Sequence, residues 1–291
     1  MRLTMAAVCS LLLTVTGDVT AQTSSRIVGE VRDITVAANE TLRTIGSRYA
    51  VDPVTLATDN GIDRVARLAV GQRLHIDNRH IVPIEVRPGA VVVNVPQRML
   101  FYETGGEVLG IPVAVGRRSW PTPLGGFTVV LKETDPTWDV PASIQEEARR
   151  AGRSLPEHVP PGPDNPLGKY WLGLSVGSVG IHGTNAPSSI YQAVTHGCIR
   201  AHPDDIARLF PLVPNGAPGA LIYSPVLLAQ VGDDVYLEAH PDIYQRAPSE
   251  TVASLRSKLL SVGLEERIDW LAVEAVLQRR PGVARIVSRG R

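Results

Sequence analysis

The chain has 291 residues, 44% of them hydrophobic, and 29 lysines plus arginines balance 29 aspartates plus glutamates. That length suits two domains of ordinary size with buried cores. A net charge of zero supplies no field to draw the chain to nucleic acid or to a charged membrane face, so its partners must be recognised by local surfaces.

The N-terminus (residues 1–21) reads as a signal peptide. Arg2 gives the positive start, MAAVCSLLLTV is an apolar run too short to span a bilayer, and VTA ending at Ala21 puts small residues ahead of a cleavage point. The mature protein is expected to begin near Gln22, to lose Cys9 and to have no integral membrane domain; the alternative is an uncleaved anchor. Cys198 is then the single thiol. A disulfide framework needs pairs, so Cys198 is either a small buried hydrophobe or a free thiol kept for its reactivity.

Residues 33–77 form the first folded unit. Ile34 and Val36 alternate as a strand, Leu42, Ile45 and Tyr49 have helical spacing with Thr41 or Asn39 as cap, and Asp52-Pro53 opens a second helix with Leu56 inward. VGQRLHI closes the unit with a strand. The order strand, helix, helix, strand, carrying TLRTIGSRY, DNGI and VGQRLHI in turn, resembles a LysM module, a family that binds N-acetylglucosamine-containing glycans such as peptidoglycan. Asn39-Glu40 stands where that family usually has Gly-Asp. The alternative is a LysM-shaped spacer.

From residue 84 to 224 the pattern is short strands and turns. AVVVNVPQRMLFYETGGEVLGIPVAVG reads as two or three strands with a hairpin at Gly105-Gly106, and PTPLGGFTVVL as a turn feeding another. This spacing predicts a β-sandwich or barrel-like domain. PASIQEEARRAG interrupts it with a short helix stopped by Gly152. Five prolines between Pro156 and Pro166 exclude a sheet interior and leave a loop, either a wall of a binding site or a plain surface excursion. Residues 225–291 are expected to form a helical extension: one helix capped by Ser249, with Val252, Leu255 and Leu259 inward and Gly263 as stop, and a second with Ile268, Leu271 and Val276 inward.

Three of the seven histidines fall in IHGTNAPSSIYQAVTHGCIRAHPDD, together with Cys198. VGSVGIHGT ends a strand at His182, and AVTHGCIRAHPDDIARLF turns into a helix whose first turn holds Pro203, Asp204 and Asp205. Cys198 lies on the turn itself, where Gly197 allows a sharp bend and leaves the sulfur uncovered. A nucleophilic cysteine needs a nearby imidazole to take its proton, and His182 is one strand and a return loop upstream. His196 could face the same site, and the turn's amides are natural donors to an oxyanion. His182, His196, Cys198 and His202 could also be assembled as a zinc set, but their spacing fits no familiar pattern, and no metal is expected.

HGT at His182 to Thr184, followed by THGCIR from Thr195 to Arg200, resembles the signature of the YkuD-type L,D-transpeptidases. NVPQRMLFY, PTPLGGF, PPGPDNPLG and GDDVYLEAHPDIY are similar to further segments of its ErfK/YbiS-like members. The resemblance implies that Cys198 is the nucleophile and His182 the general base and acid, oriented by the Gly183 carbonyl. It implies that His196 supports the geometry, that amides of the His196-Gly197-Cys198 turn form an oxyanion hole, and that Arg200 and Thr195 are substrate-binding. His202 is read as a loop residue before the helix. The expected protein is an exported, periplasmic, cell-wall-associated transferase that acts on peptidoglycan tetrapeptide stems without a cofactor. It would form 3→3 crosslinks or attach a lipoprotein to the wall. The alternatives are a hydrolase of the same family and a non-catalytic wall-binding protein. The fold expected throughout is mainly β with α: a βααβ module, a β-sandwich or barrel-like catalytic domain and a helical C-terminal extension.

Overall fold

The computed structural model describes residues 23–246 and 250–290. The expected signal peptide (residues 1–21) with Cys9, the expected mature start at Gln22 and the expected cap Ser249 lie outside the described residues. No helix among the described residues is long and apolar enough to cross a membrane.

In the N-terminal module, β1 (Val31–Thr35) pairs antiparallel with β2 (Arg73–Asp77), and α1 (Leu42–Tyr49) and α2 (Pro53–Asp59) lie between them in sequence. Thr41 and Thr44 exchange side-chain bonds to each other's amides as a capping box, and Asp52 caps α2 with Pro53 in its first turn. Leu42, Ile45, Leu56, Leu74 and Ile76 make the module's core. The Asn39-Glu40 departure has a physical equivalent for each residue. Asn39 sits at φ 65°, the left-handed region that glycine would otherwise serve, and Glu40 accepts the Ala37 amide at 2.8 Å while pairing with Arg48 at 2.6 Å.

The central sheet contains nine strands. In chain order they are β3 (Val91–Asn94), β4 (Met99–Thr104), β5 (Glu107–Gly116), β6 (Gly125–Thr134), β7 (Tyr170–Leu174), β8 (Gly180–His182), β9 (Ala193–Thr195), β10 (Ile199–Ala201) and β11 (Pro218–Ile222). They run β5-β10-β8-β7-β6-β11-β3-β4 and back to β5, a closed barrel, with β9 beside the end of β5. Of the sandwich and barrel alternatives, the chain adopts the barrel. Val91, Val93, Leu100 and Tyr102 face its core, whereas Val92, Met99 and Phe101 point outward and pack against Ala50, Val82 and Tyr191. A wall covered on both sides has no polar face, which is why AVVVNV and RMLFY read as unbroken apolar runs. The helix α3 (Ala142–Arg150) interrupts the barrel where the sequence pattern places it.

The C-terminal extension differs from its helical expectation. Strands β12 (Val226–Val231) and β13 (Asp234–Ala239) form a hairpin extended by β14 (Arg285–Ile286), and α5 (Val252–Ser261) and α6 (Trp270–Arg279) pack on this sheet. Thr251 caps α5 with Ser254 in a second capping box, and Gly263 at φ 71° follows its end. Asp269 caps α6 and so sets its phase. Val273 and Val276 face inward, Ile268 is buried ahead of the helix, and Leu271 is 79% exposed rather than inward.

The three units meet at a buried carboxylate. Glu238 Oε1 lies 2.8 Å from His80 Nδ1, 2.7 Å from His240 Nε2 and 3.0 Å from Gln97 Nε2, and Oε2 accepts the Ile81 amide. His80 Nε2 faces the Ala50 carbonyl at 2.9 Å, so both its ring nitrogens meet acceptors. Burial alone would raise the Glu238 carboxyl, but His80 and His240 outweigh it and hold the group at about 2, against an ordinary value of 4.5. Because the folded value is depressed, the stability linked to the Glu238 carboxylate is fully present above pH 4.5 and is lost as pH falls toward 2; that shift corresponds to about 3 kcal/mol. Glu238→Gln should therefore cost roughly 3 kcal/mol in urea unfolding at pH 7 and flatten the loss of stability through that acid window. Unchanged stability would show that the hub is not a fastener.

Candidate active site

The ladder between β8 and β10 brings His182 and Cys198 together. These strands run parallel, with Ile181 opposite Ile199 and His182 opposite Arg200. Ile181 and Ile199 both point into the barrel core, so His182 and Arg200 project from the outer face, while Cys198, just before β10, packs at the edge of the core cluster. Adjacent strands lie about 4.8 Å apart, so a diagonal neighbour is within reach of an imidazole. The Cys198 sulfur lies against the amide of Gly180, and the residue is half-buried and free of any disulfide.

His182 is held from several sides. Its Nδ1 donates to the Gly183 carbonyl at 2.7 Å, which leaves Nε2 with the lone pair a general base needs. The Trp171 ring stacks on it at 5.8 Å. Gly180 has to be glycine, because a Cβ there would lie 2.5 Å from the Trp171 ring. The proline-rich segment is an ordered loop that ends against the same strand. Its Asn165 is buried and donates to the Pro136 carbonyl at 2.8 Å, and a Cβ on Gly168 would strike the Thr184 amide at 2.8 Å.

Burial and then the nearby Arg200 cation lower His182 to about 4, against the pull of the Gly183 and Leu167 carbonyls. Burial raises the Cys198 thiol, against the Gly180 amide and Arg200. Both shifts oppose a resting thiolate–imidazolium pair. At rest the thiol and the imidazole are therefore both neutral.

The turn carrying the thiol is built from unlike pieces. Thr195 is buried; its hydroxyl donates to the Cys198 carbonyl at 2.6 Å and accepts the Gly197 amide at 3.2 Å. Expected among the substrate-binding residues, Thr195 thus spends its hydroxyl on closing the turn. The Gly197 amide, expected in the oxyanion hole, is directed inward by the same bond. Gly197 itself sits at φ 109°, which a side chain would strain. Thr122, from PTPLGGF, accepts the Gly116 amide at 2.8 Å and donates to the Gly197 carbonyl at 2.9 Å. Tyr244 of the C-terminal extension then accepts the Thr122 amide at 3.0 Å and donates to the Gly116 carbonyl at 2.6 Å.

His196 is turned to α3 and not to a ligand set shared with Cys198. Its Nε2 lies 2.7 Å from Glu147, its ring meets Trp120 edge-on at 5.1 Å, and Arg117 donates to both Glu147 oxygens at 2.6 Å. Arg117 first, then His196, hold the Glu147 carboxyl at about 2. His202 caps α4 (Pro203–Leu209), its Nδ1 accepting the Asp204 amide at 3.3 Å. Arg200 donates to Ser189 at 2.8 Å, and its Nε is buried without a partner. Trp171, Thr122, Tyr244 and Glu147 were not singled out by sequence reasoning. Thr122 and Tyr244 fall inside segments that carry the family resemblance, which is the one signal that pointed near them.

A family model described as the L,D-transpeptidase catalytic domain, YkuD, matches residues 88–228, and a LysM domain model matches residues 34–77. The chain is 33% identical over 284 residues to the "Probable L,D-transpeptidase ErfK/SrfK" of Salmonella typhimurium, covering 92% of this chain and 89% of that protein. It is 32% identical over 271 residues to the "Probable L,D-transpeptidase YbiS" of Escherichia coli, covering 89% of this chain and 88% of that protein.

Proposed function

Because the chain belongs to the YkuD-type L,D-transpeptidase family and carries a LysM module, we propose that it is exported to the periplasm and transfers acyl groups between peptidoglycan stems through a thioester on Cys198. The observation that carries this reading is the parallel pairing of β8 with β10, which sets His182 beside the turn carrying Cys198, with the imidazole neutral at physiological pH. The thiol attacks the carbonyl of the third residue of a tetrapeptide stem as His182 Nε2 takes its proton. Returned to the amine, that proton lets the terminal D-alanine leave, and the Cys198 thioester remains. An amine of a second stem then attacks the thioester, His182 accepts its proton, and the thiol is regenerated with a 3→3 crosslink formed. A lipoprotein lysine is the competing amine. The Cys198 amide would steady the oxyanion, and Arg200 would face the stem's carboxylate. No metal or organic cofactor enters these steps.

The test is incubation of the purified protein with disaccharide-tetrapeptide, with and without a lipoprotein C-terminal peptide, followed by mass spectrometry. Crosslinked dimers or peptide conjugates with free D-alanine are expected. Bare tripeptide as the sole product would make water the acceptor and the protein a hydrolase. Unchanged substrate would leave a wall-binding protein.

A further inference from the structure

The segment that leads from β8 to β9, residues 183–192, is gripped from outside the barrel. Ser47 on helix α1 of the LysM module donates to the Ile190 carbonyl at 3.0 Å and to that of Ser188 at 3.3 Å. Arg43, one turn earlier, reaches Gln192 at 3.3 Å, and Gln192 in turn holds the Ser188 carbonyl at 2.8 Å. Ile190 and Tyr191 are buried with Ala50, the residue that ends α1. Tyr191 sits at φ 63°, a conformation that a bulky residue keeps only when its surroundings impose it, and its hydroxyl donates to the Gly282 carbonyl at 3.0 Å. Within this clamped turn Ser189 donates to the Ala186 carbonyl at 2.6 Å and accepts from Arg200 at 2.8 Å. Among the described residues that is the one hydrogen bond aiming the Arg200 guanidinium, whose Nε finds no partner among them and which is otherwise held by burial and by its position opposite His182.

We propose that Ser189 is a positioning residue that aims Arg200 at the Cys198–His182 face, and that LysM helix α1 sets this aim through Ser47, making the module a structural part of the active site as well as a wall anchor. The proposal rests on Cys198 being the nucleophile. A tether raises local substrate concentration and does nothing for a small soluble substrate. A clamp alters the thiol itself.

The experiment is the pH profile of Cys198 alkylation by iodoacetamide in the full-length protein, with turnover of soluble disaccharide-tetrapeptide measured beside it. Arg200 favours the thiolate, so Ser189→Ala should move the profile to higher pH and slow alkylation at pH 7 roughly threefold. Ser189→Thr, which keeps the hydroxyl, should restore both. Ser47→Ala removes only the module's grip and should move the profile the same way, with kcat on the soluble substrate falling more than KM changes. A profile unmoved by Ser189→Ala or by Ser47→Ala, in protein of unchanged melting temperature, would overturn the proposal. Should Ser189→Ala fail to fold, the Ser47→Ala profile decides alone. Alkylation reads the thiol without needing peptidoglycan chemistry, so the expected profiles with no stem turnover would sink the transferase reading and leave the clamp standing.

Discussion

Cys198→Ala is expected to lower D-alanine release from tetrapeptide by about four orders of magnitude or more, to the limit of detection. The step lost is covalent: with no sulfur at that position there is no acyl-enzyme, and water or an amine would have to attack an unactivated peptide bond directly. Nothing else nearby can stand in. Thr195 is the closest hydroxyl along the turn, and it is buried and committed to the Cys198 carbonyl and the Gly197 amide. The substitution should leave the fold intact, because Cys198 is half-buried at the edge of the core cluster and only a small group is removed. A melting temperature within a few degrees of wild type is the control, and appreciable D-alanine release by the variant would contradict a thioester route.

His182→Ala should cost about two to four orders of magnitude in kcat/KM at pH 7, the usual worth of a positioned base. The pH dependence separates this role from a structural one. In the wild type the imidazole is neutral above about pH 4, so the acid limb of kcat/KM should fall near that value and activity should persist at pH 5 to 6. An unburied histidine would lose half its base near 6.5 instead. In the variant no base takes the thiol proton, and burial holds the thiol above its ordinary value, so residual activity should climb with pH as thiolate forms. A variant whose rate is flat across neutral and alkaline pH would show that His182 does not activate the sulfur.

The local geometry around His182, Gly197 and Cys198 was legible because one short segment encodes it: a strand end, a glycine that permits positive φ, and a helix start with Pro203 in its first turn. The parallel register of β8 on β10 was not legible, since neither strand states which partner it pairs with, yet that register sets His182 opposite Arg200 and beside the turn of Cys198. Glu147, Thr122 and Tyr244 act on the thiol's turn from α3, the PTPLGGF segment and the C-terminal extension. Contacts across such sequence distances leave no local pattern. The hairpin of β12 and β13 is a different case. Leu227 and Ala229, then Val235 and Leu237, alternate on either side of Gly232, a period-two signal that the sequence does carry ahead of the stronger helical spacing that follows. Asn39-Glu40 shows the converse, a departure from the family pattern in which Asn39 keeps the left-handed backbone.

The central claim is that Cys198 is acylated. Its most direct test is the intact mass of the protein after exposure to a carbapenem, whose strained carbonyl a thiol opens by addition without loss of atoms. Wild-type protein should gain the full mass of one drug molecule, mapped to the peptide holding Cys198, and His182→Ala should acquire it far more slowly. An unmodified wild-type protein, or an adduct mapped to any other residue, would contradict the account.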